Sequence, residues 1–339
     1  MTIRIAVDAM GGDHGPSVIV EGAIAGARAQ RASLLLVGNV SEIESALHGM
    51  DKTDLEIEVV EATDVISMDD HPAQAVRRKP QSSINVALRL ISESRADAMV
   101  SAGNSGAIMA ASLLVLGRIK GIDRPAIASY IPTATGKTLL LDLGAVVDPK
   151  PGNLVQFAEM GQVYVERILN VQNPTIGLLS NGEEPTKGNT LVQQVHPLLA
   201  ADEDLNFVGN VEGKDVAMGT VDIVVTDGFT GNVALKTAEG VAAMIAELLR
   251  AEITSTLPRK LAGLVLRPAF RALRSKLDYA EIGGAPLLGV NGAVIISHGR
   301  STAKAIENAL SVGVRAADKD LAGGIAERIS RADPTRAST

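Results

Sequence analysis

The chain has no cysteine and no tryptophan, and only four phenylalanines and three tyrosines among 339 residues. Without cysteine it can form no disulfide, no thiolate metal site and no cysteine nucleophile, and a reducing cytosol is the expected compartment. Aromatic residues make up 2% of a sequence that is 46% hydrophobic. The core must therefore be built from Ala, Val, Ile and Leu, which suits buried parallel strands and their covering helices. The five histidines, His14, His48, His71, His196 and His298, lack metal-ligand spacing, so no metal is expected. No serine occupies a Gly-x-Ser-x-Gly elbow, which removes the support for a hydrolase triad. Gly136-Lys-Thr138 lacks the upstream glycine of a Walker loop and reads as a hairpin turn. The opening Met-Thr-Ile-Arg-Ile-Ala-Val reads as a first strand, not a signal peptide, so export is not expected. Residues 98–117 carry no charge and are long enough to span a bilayer, but Ser101, Gly103, Asn104, Ser105 and Gly106 favour a strand, a turn and a buried helix there.

What the chain does have is six polar, glycine-rich junctions, each directly after an apolar run. They are Asp8-Ala-Met-Gly-Gly-Asp13, Ser101-Ala-Gly-Asn-Ser-Gly106, Leu141-Asp-Leu-Gly-Ala145, Ser180-Asn-Gly-Glu-Glu184, Thr226-Asp-Gly-Phe-Thr-Gly-Asn232 and Ser297-His-Gly-Arg-Ser301. Strands are predicted at 3–7, 34–38, 55–60, 98–101, 127–131, 138–142, 175–179, 222–226 and 293–297, and helices at 16–30, 82–94, 106–116, 152–169, 190–199, 232–251 and 301–316. This alternation predicts a three-layer α/β/α, doubly wound, mainly parallel sheet in a single catalytic domain over 1–332, with a disordered tail at 333–339. In such a sheet the strand ends share one edge, so the junctions are expected to surround one anion-binding crevice.

Two regions depart from the rhythm. Residues 60–80 read as a loop and short helix at the crevice rim, carrying the basic run Arg77-Arg-Lys79. Residues 254–277 hold six basic and no acidic residues; the chain carries −7 and this segment +6, so the remainder carries −13. Leu257, Leu261, Leu264, Phe270 and further leucines are interleaved with Arg267, Arg271 and their neighbours. Pro258 and Pro268 suit the first turns of two short helices, so the segment is expected to be a basic amphipathic helical hairpin. It either forms a dimer contact with solvated charges or touches anionic lipid or an acidic protein.

Each junction has a chemical and a structural reading. Asp8, Gly11, Gly12 and Asp13 supply carboxylates and close backbone approach, or a tight turn with Asp13 as a helix cap. Ser101, Gly103, Asn104, Ser105 and Gly106 have the composition of a phosphate cradle. Gly182 and Glu183 lead to Lys187, which can stabilise charge on a carbonyl oxygen or stand as a solvated loop lysine. Asp227, Gly231 and Asn232 combine acceptors and donors with a capped helix start. His298 can assist binding or be structural.

Taken together these strings resemble the bacterial phosphate acyltransferases of the PlsX type. The resemblance is carried by 8–13, 101–107, Gly-Glu-Glu and Lys-Gly-Asn within 182–189, Asp-Gly-Phe-Thr-Gly-Asn-Val at 227–233, Gly-Gly-Ala-Pro-Leu-Leu-Gly at 283–289 and His-Gly-Arg-Ser at 298–301. It implies transfer of a long-chain fatty acyl group from acyl carrier protein to inorganic phosphate, giving acyl phosphate for phospholipid synthesis. It further implies a fold related to isopropylmalate dehydrogenase and phosphotransacetylase, a homodimer, and peripheral association with the inner membrane face. It implies no cofactor and no nucleic acid, and product handed to a membrane glycerol-3-phosphate acyltransferase. Matching the motifs carries the catalytic roles onto Lys187 and Asn232; Asp142 and the junction residues named above are the expected substrate contacts, and the basic amphipathic pattern of 254–277 makes Leu261, Leu264, Phe270, Arg267 and Arg271 the expected membrane contacts. The chain departs from the family pattern at Val146 and at Ser180-Asn181, where asparagine and Asn-Ile are common; at Ser105, where threonine is common, the hydroxyl is kept. The alternatives are a short-chain phosphotransacetylase acting on a coenzyme A thioester, and a membrane-docking acyl- or nucleotide-binding regulator.

Overall fold

The computed structural model describes residues 2–277 and 283–332, with the side chains of 271–277 excepted. The tail expected at 333–339 lies outside the described residues, as do the side chains of Arg271 and its C-terminal neighbours in that segment. Eleven strands pair into one sheet among the described residues: Arg4–Asp8 (β1), Ser33–Gly38 (β2), Ile57–Glu61 (β3), Ala98–Ser101 (β4), Ala126–Pro132 (β5), Lys137–Leu141 (β6), Ile176–Leu179 (β7), Phe207–Val211 (β8), Ile223–Val225 (β9), Ala285–Leu288 (β10) and Ala293–Ile296 (β11). Their order is β3-β2-β1-β4-β11-β10-β5-β6-β9-β7-β8. The helices are Pro16–Gln30 (α1), Val40–Leu47 (α2), Pro72–Arg78 (α3), Ser83–Ser92 (α4), Ser105–Val115 (α5), Pro151–Tyr164 (α6), Thr190–Ala200 (α7), Gly213–Met218 (α8), Gly228–Thr254 (α9), Leu257–Leu277 (α10), Ala303–Asp318 (α11) and Leu321–Ala332 (α12).

The three layers follow from the period-2 alternation of apolar residues that are buried on both faces. Ile5 and Val7 of β1, with Leu34 and Leu36 of β2, pack with α1, α2 and α11. Ala6, Leu35 and Val37 point to the other face, among residues of α3, α4 and α5. The second half repeats the arrangement. Leu139 and Leu141 of β6 and Ile223 and Val225 of β9 join a core with α6, α7 and α12, whose Phe157 and Tyr164 are among the few aromatic residues. Leu140 and Val224 face Val216 of α8 and Leu235 of α9.

Strand polarity is what positions the junctions. β10 is antiparallel to both β11 and β5, and β5 is antiparallel to β6; the other pairings are parallel. The β5–β6 hairpin turns at 133–136, where Thr133 N–H donates to Gly136 O at 3.0 Å. Gly136-Lys-Thr138 is thus the hairpin it was read as. Beyond it the remaining strands run opposite to β1, β4 and β11. The sheet therefore has two carboxyl edges, and the expectation that every junction shares one edge does not hold.

The 254–277 segment also differs from expectation. It is a single helix, α10, that continues through Pro268, and the hairpin is made by α9 and α10 together, joined at Ser255 and Thr256. An interior proline costs a helix about 3 kcal/mol, which is why a helix start looked preferable from sequence. Residues 98–117 form β4, a turn and α5, and no described helix is long and apolar enough to cross a membrane.

Candidate active site

The junctions form two trios, each at the carboxyl ends of three adjacent parallel strands. β1, β4 and β11 carry the first, second and sixth junctions; β6, β9 and β7 carry the third, fifth and fourth.

In the first trio Asp8 is buried beneath the turn. Its Oδ2 accepts the Ser101 hydroxyl at 2.6 Å and its Oδ1 accepts Met10 N–H at 3.2 Å, while Gly103 N–H donates to Ser101 Oγ at 3.1 Å. Burial pushes the Asp8 carboxyl above its ordinary value, against the hydrogen bonds from Ser101, Ser83 and the Met10 and Gly11 N–H groups. Gly11 packs so closely that a Cβ there would lie 2.7 Å from Gly103 N and 2.8 Å from Asp8 Oδ2. Gly12 lies against Gly299, and Asp13 N–H donates to Gly299 O at 2.7 Å, bringing the sixth junction to the first. Gly15 caps α1, so Asp13 is exposed and free of that role.

Asn104 organises the second junction. Its Oδ1 caps α5 by accepting Ala107 N–H at 3.1 Å, and its Nδ2 donates to the carbonyls of Ser67, Met68 and Asp70. The 60–80 loop is thereby fastened beside the turn. With Gly103 N–H occupied by Ser101, the cradle narrows to Ser105 and Gly106, whose N–H groups open α5 and have no intrahelical acceptor. Lys79 is consumed within the loop, on Asp70 Oδ2 at 2.6 Å and Val65 O at 2.9 Å; Arg77 and Arg78 are exposed.

In the second trio Asp142 is buried and accepts four backbone N–H groups: Ile127, Gly144 and Ala145 on Oδ1 at 2.9, 3.2 and 3.1 Å, and Val146 on Oδ2 at 2.6 Å. Burial raises its pKa, and the four donors pull the other way. Asp142 is therefore a turn-building residue, and Val146 contributes only backbone to its contacts. The turn meets the start of α9, where Gly228 N–H donates to Val146 O at 2.9 Å and Asn232 Nδ2 donates to Leu143 O at 3.0 Å. A Cβ on Gly231 would lie 2.0 Å from Asp142 O. Asp227 caps α9 through Thr230 N–H at 2.8 Å and the Thr230 hydroxyl at 2.7 Å. Asn232 is exposed and keeps a second amide N–H for a ligand.

Lys187 lies two residues before Asn189, the N-cap of α7, and is exposed. Its stem packs on Gly182, and Gly188 N–H donates to Asn181 Oδ1 at 2.9 Å. Glu183, Glu212 and Asp215 form an acidic group, and Lys214 pairs with two of the three, Glu183 at 3.2 Å and Glu212 at 2.5 Å.

α9 links the trios. It starts at Asp227 in the second, and its distal half forms one wall of a groove of about 1170 Å³, whose other wall includes Gly284, Ile296, Ser297, His298 and Arg300. His298 belongs to this wall, and its Nδ1 accepts Arg300 N–H at 3.2 Å. Sequence reasoning passed over Arg300, although its place in the sixth junction was the signal. Phe270 of α10 lines the groove, whereas Leu261 and Leu264 are 59% and 64% exposed and Arg267 is also exposed.

Solved structures that share this fold include two phosphotransacylases. A phosphotransacetylase from Streptococcus pyogenes superposes with a TM-score of 0.66 at 16% identity, covering 94% of each chain. A branched-chain phosphotransacylase from Enterococcus faecalis V583 gives 0.58 at 15% identity, over 93% of this chain and 99% of that one. At such identities the likeness concerns the fold. The sequence comparisons go further. The family model described as "Fatty acid synthesis protein" matches residues 3–323. The phosphate acyltransferase of Dictyoglomus turgidum is 51% identical over 330 residues, 97% of this chain and 98% of its own. That of Desulfitobacterium hafniense strain DCB-2 is 52% identical over 333 residues, 98% of each. The chain belongs to this phosphate acyltransferase family and is an acyltransferase.

Proposed function

We propose that the enzyme transfers a long-chain fatty acyl group from acyl carrier protein to inorganic phosphate, supplying acyl phosphate for phospholipid synthesis. A phosphate oxygen attacks the thioester carbonyl, the carbonyl oxygen becomes an oxyanion, and the C–S bond breaks to release the carrier thiolate. Because the thiolate leaves readily, the protein's task is to align phosphate and stabilise the oxyanion. Lys187 and the second N–H of Asn232 are the oxyanion donors in this reading, and the first-turn N–H groups of Ser105 and Gly106 hold phosphate. The observation that carries it is the match to the family over nearly the whole chain, with Lys187 and Asn232 at helix starts on the neighbouring strands β7 and β9.

The homodimer is part of the proposal. Within one chain Ser105 and Gly106 belong to one carboxyl edge and Lys187 and Asn232 to the other, so a second copy brings the two sets together. The test is acyl phosphate formation by folded Lys187→Ala and Asn232→Ala variants, with long-chain acyl carrier protein as donor. Near-normal turnover in both would remove the assignment, and preference for acetyl-coenzyme A would favour the short-chain alternative. Mixed dimers of Lys187→Ala and Gly106→Ala regain activity if the site is shared between copies.

The partners follow from charge and exposure. Acyl carrier protein is acidic, and Arg77 and Arg78 beside the first trio offer it a basic surface. The basic, leucine-studded α10 is assigned to anionic membrane at the inner face, where product passes to a glycerol-3-phosphate acyltransferase. Leu261→Glu with Leu264→Glu abolishes co-sedimentation with anionic liposomes while activity in solution persists; unchanged sedimentation would return α10 to a structural role.

A further inference from the structure

The groove beside α9 has two chemically distinct parts. Ala238, Ala242 and Ala246 recur every four residues and so share one face of the helix, and the same row continues through Arg250 to Thr254. Val241, Ile245 and Leu249 extend the apolar wall beside them. Phe270 faces α9 from the antiparallel α10; the close approach of Gly263 to Ile253 sets a register that puts it opposite about Ala246.

The polar part is the sixth junction. Arg300 is exposed, and its guanidinium enters no salt bridge or hydrogen bond among the described residues. His298 accepts Arg300 N–H on Nδ1, which leaves Nε2 for a ligand. Ser297 lines the groove, is 5% exposed, and its hydroxyl has no hydrogen-bond partner among the described residues. Thr302 caps α11, whose first N–H groups have no intrahelical acceptor. Cationic, donor-rich chemistry at one side and a mostly small and apolar wall at the other, broken by Arg250, by Glu247 and by Glu239 paired with Lys236, fit an anionic amphiphile.

Length narrows the occupant. From Ala238 to Thr254 the helix advances about 24 Å. An extended chain advances roughly 1.2 Å per bond, so sixteen to eighteen carbons cover about 18–21 Å. We propose that this groove holds the long-chain acyl phosphate product, with its phosphate on Arg300 and His298, and that the alanine row of α9 sets the chain length accepted. The proposal rests on the acyltransferase reading and adds the residues that select among acyl chains.

The probes are unreactive alkyl phosphates of eight to eighteen carbons, titrated calorimetrically into the full-length protein. Wild type binds more tightly as the chain lengthens, levelling off near sixteen carbons. Ala242→Phe and Ala246→Phe each obstruct the wall, and their preferred lengths differ by about five carbons, the advance of four helical residues. Arg300→Gln weakens alkyl phosphates about tenfold and leaves the matching alcohols unchanged. Identical chain-length profiles in wild type and both phenylalanine variants would overturn the proposal. So would a changed oligomeric state with an unchanged profile, which would give the groove to a second copy of the chain. Length-dependent binding in a protein that never forms acyl phosphate would uphold the groove and remove only the catalytic reading.

Discussion

Replacing Asp142 by asparagine tests how the second trio is built. The carboxylate satisfies four buried or half-buried backbone donors, three on Oδ1 and Val146 N–H on Oδ2 at 2.6 Å. Asparagine can keep its oxygen where Oδ1 stands, but its NH₂ then faces Val146 N–H, donor against donor. One unsatisfied donor costs about 1–3 kcal/mol, and the surviving bonds lose their charge assistance. Against this, asparagine removes the desolvation cost that pushes the Asp142 carboxyl upward. The balance is a loss of about 2 kcal/mol, and Asp142→Ala, which abandons all four donors, loses about 4 kcal/mol or more. Urea unfolding reads these as shifts in midpoint at constant slope. Leu143 O holds Asn232, so turnover falls in the same order. An asparagine variant within about 0.5 kcal/mol of wild type, turning over normally, would refute the account of the turn.

Four further outcomes follow from single contacts. Asp8 has its folded pKa raised by burial, so its stabilising contribution is complete below the ordinary aspartate value and is lost as pH rises through the raised one. Wild type therefore gains stability relative to Asp8→Asn as pH falls from neutral towards 4; a constant difference would contradict this. Asn104→Ala removes an N-cap and three loop hydrogen bonds, costing about 1–2 kcal/mol, and speeds amide exchange at 67–70. Gly231→Ala places a methyl 2.0 Å from Asp142 O, so calorimetry shows destabilisation of about 1–3 kcal/mol. Lys79→Ala frees Asp70 and Val65 O, and trypsin cleaves at Arg77 and Arg78 faster than in wild type.

The layered fold was legible in the sequence because burial on both faces writes continuous apolar runs such as Leu34–Gly38 in β2. β10 was missed because Pro286 argues against an interior strand, yet the four-residue Ala285–Leu288 pairs with a different neighbour at each end. β8 was missed because it is an edge strand, half exposed and interrupted by Gly209 at φ 111°. The six junctions do lie at strand ends, and Asp227 caps its helix as the capped start at 226–232 implied, but α1 is capped by Gly15 and not by Asp13. Their distribution over two edges was hidden, because pairing direction depends on which distant strand each segment meets. The clue was the Gly136 hairpin, which reverses the chain in the middle of the sheet.

That reversal also bears on how the molecule tolerates change. In a wholly parallel sheet every functional loop crowds one end, and lengthening any of them intrudes on the rest. The turn at 133–136 spreads the loops over two ends, so within one chain residues after β1, β4 and β11 can vary without displacing those after β6, β7 and β9. α9 is answerable to both, and substitutions along it are felt at the two ends at once.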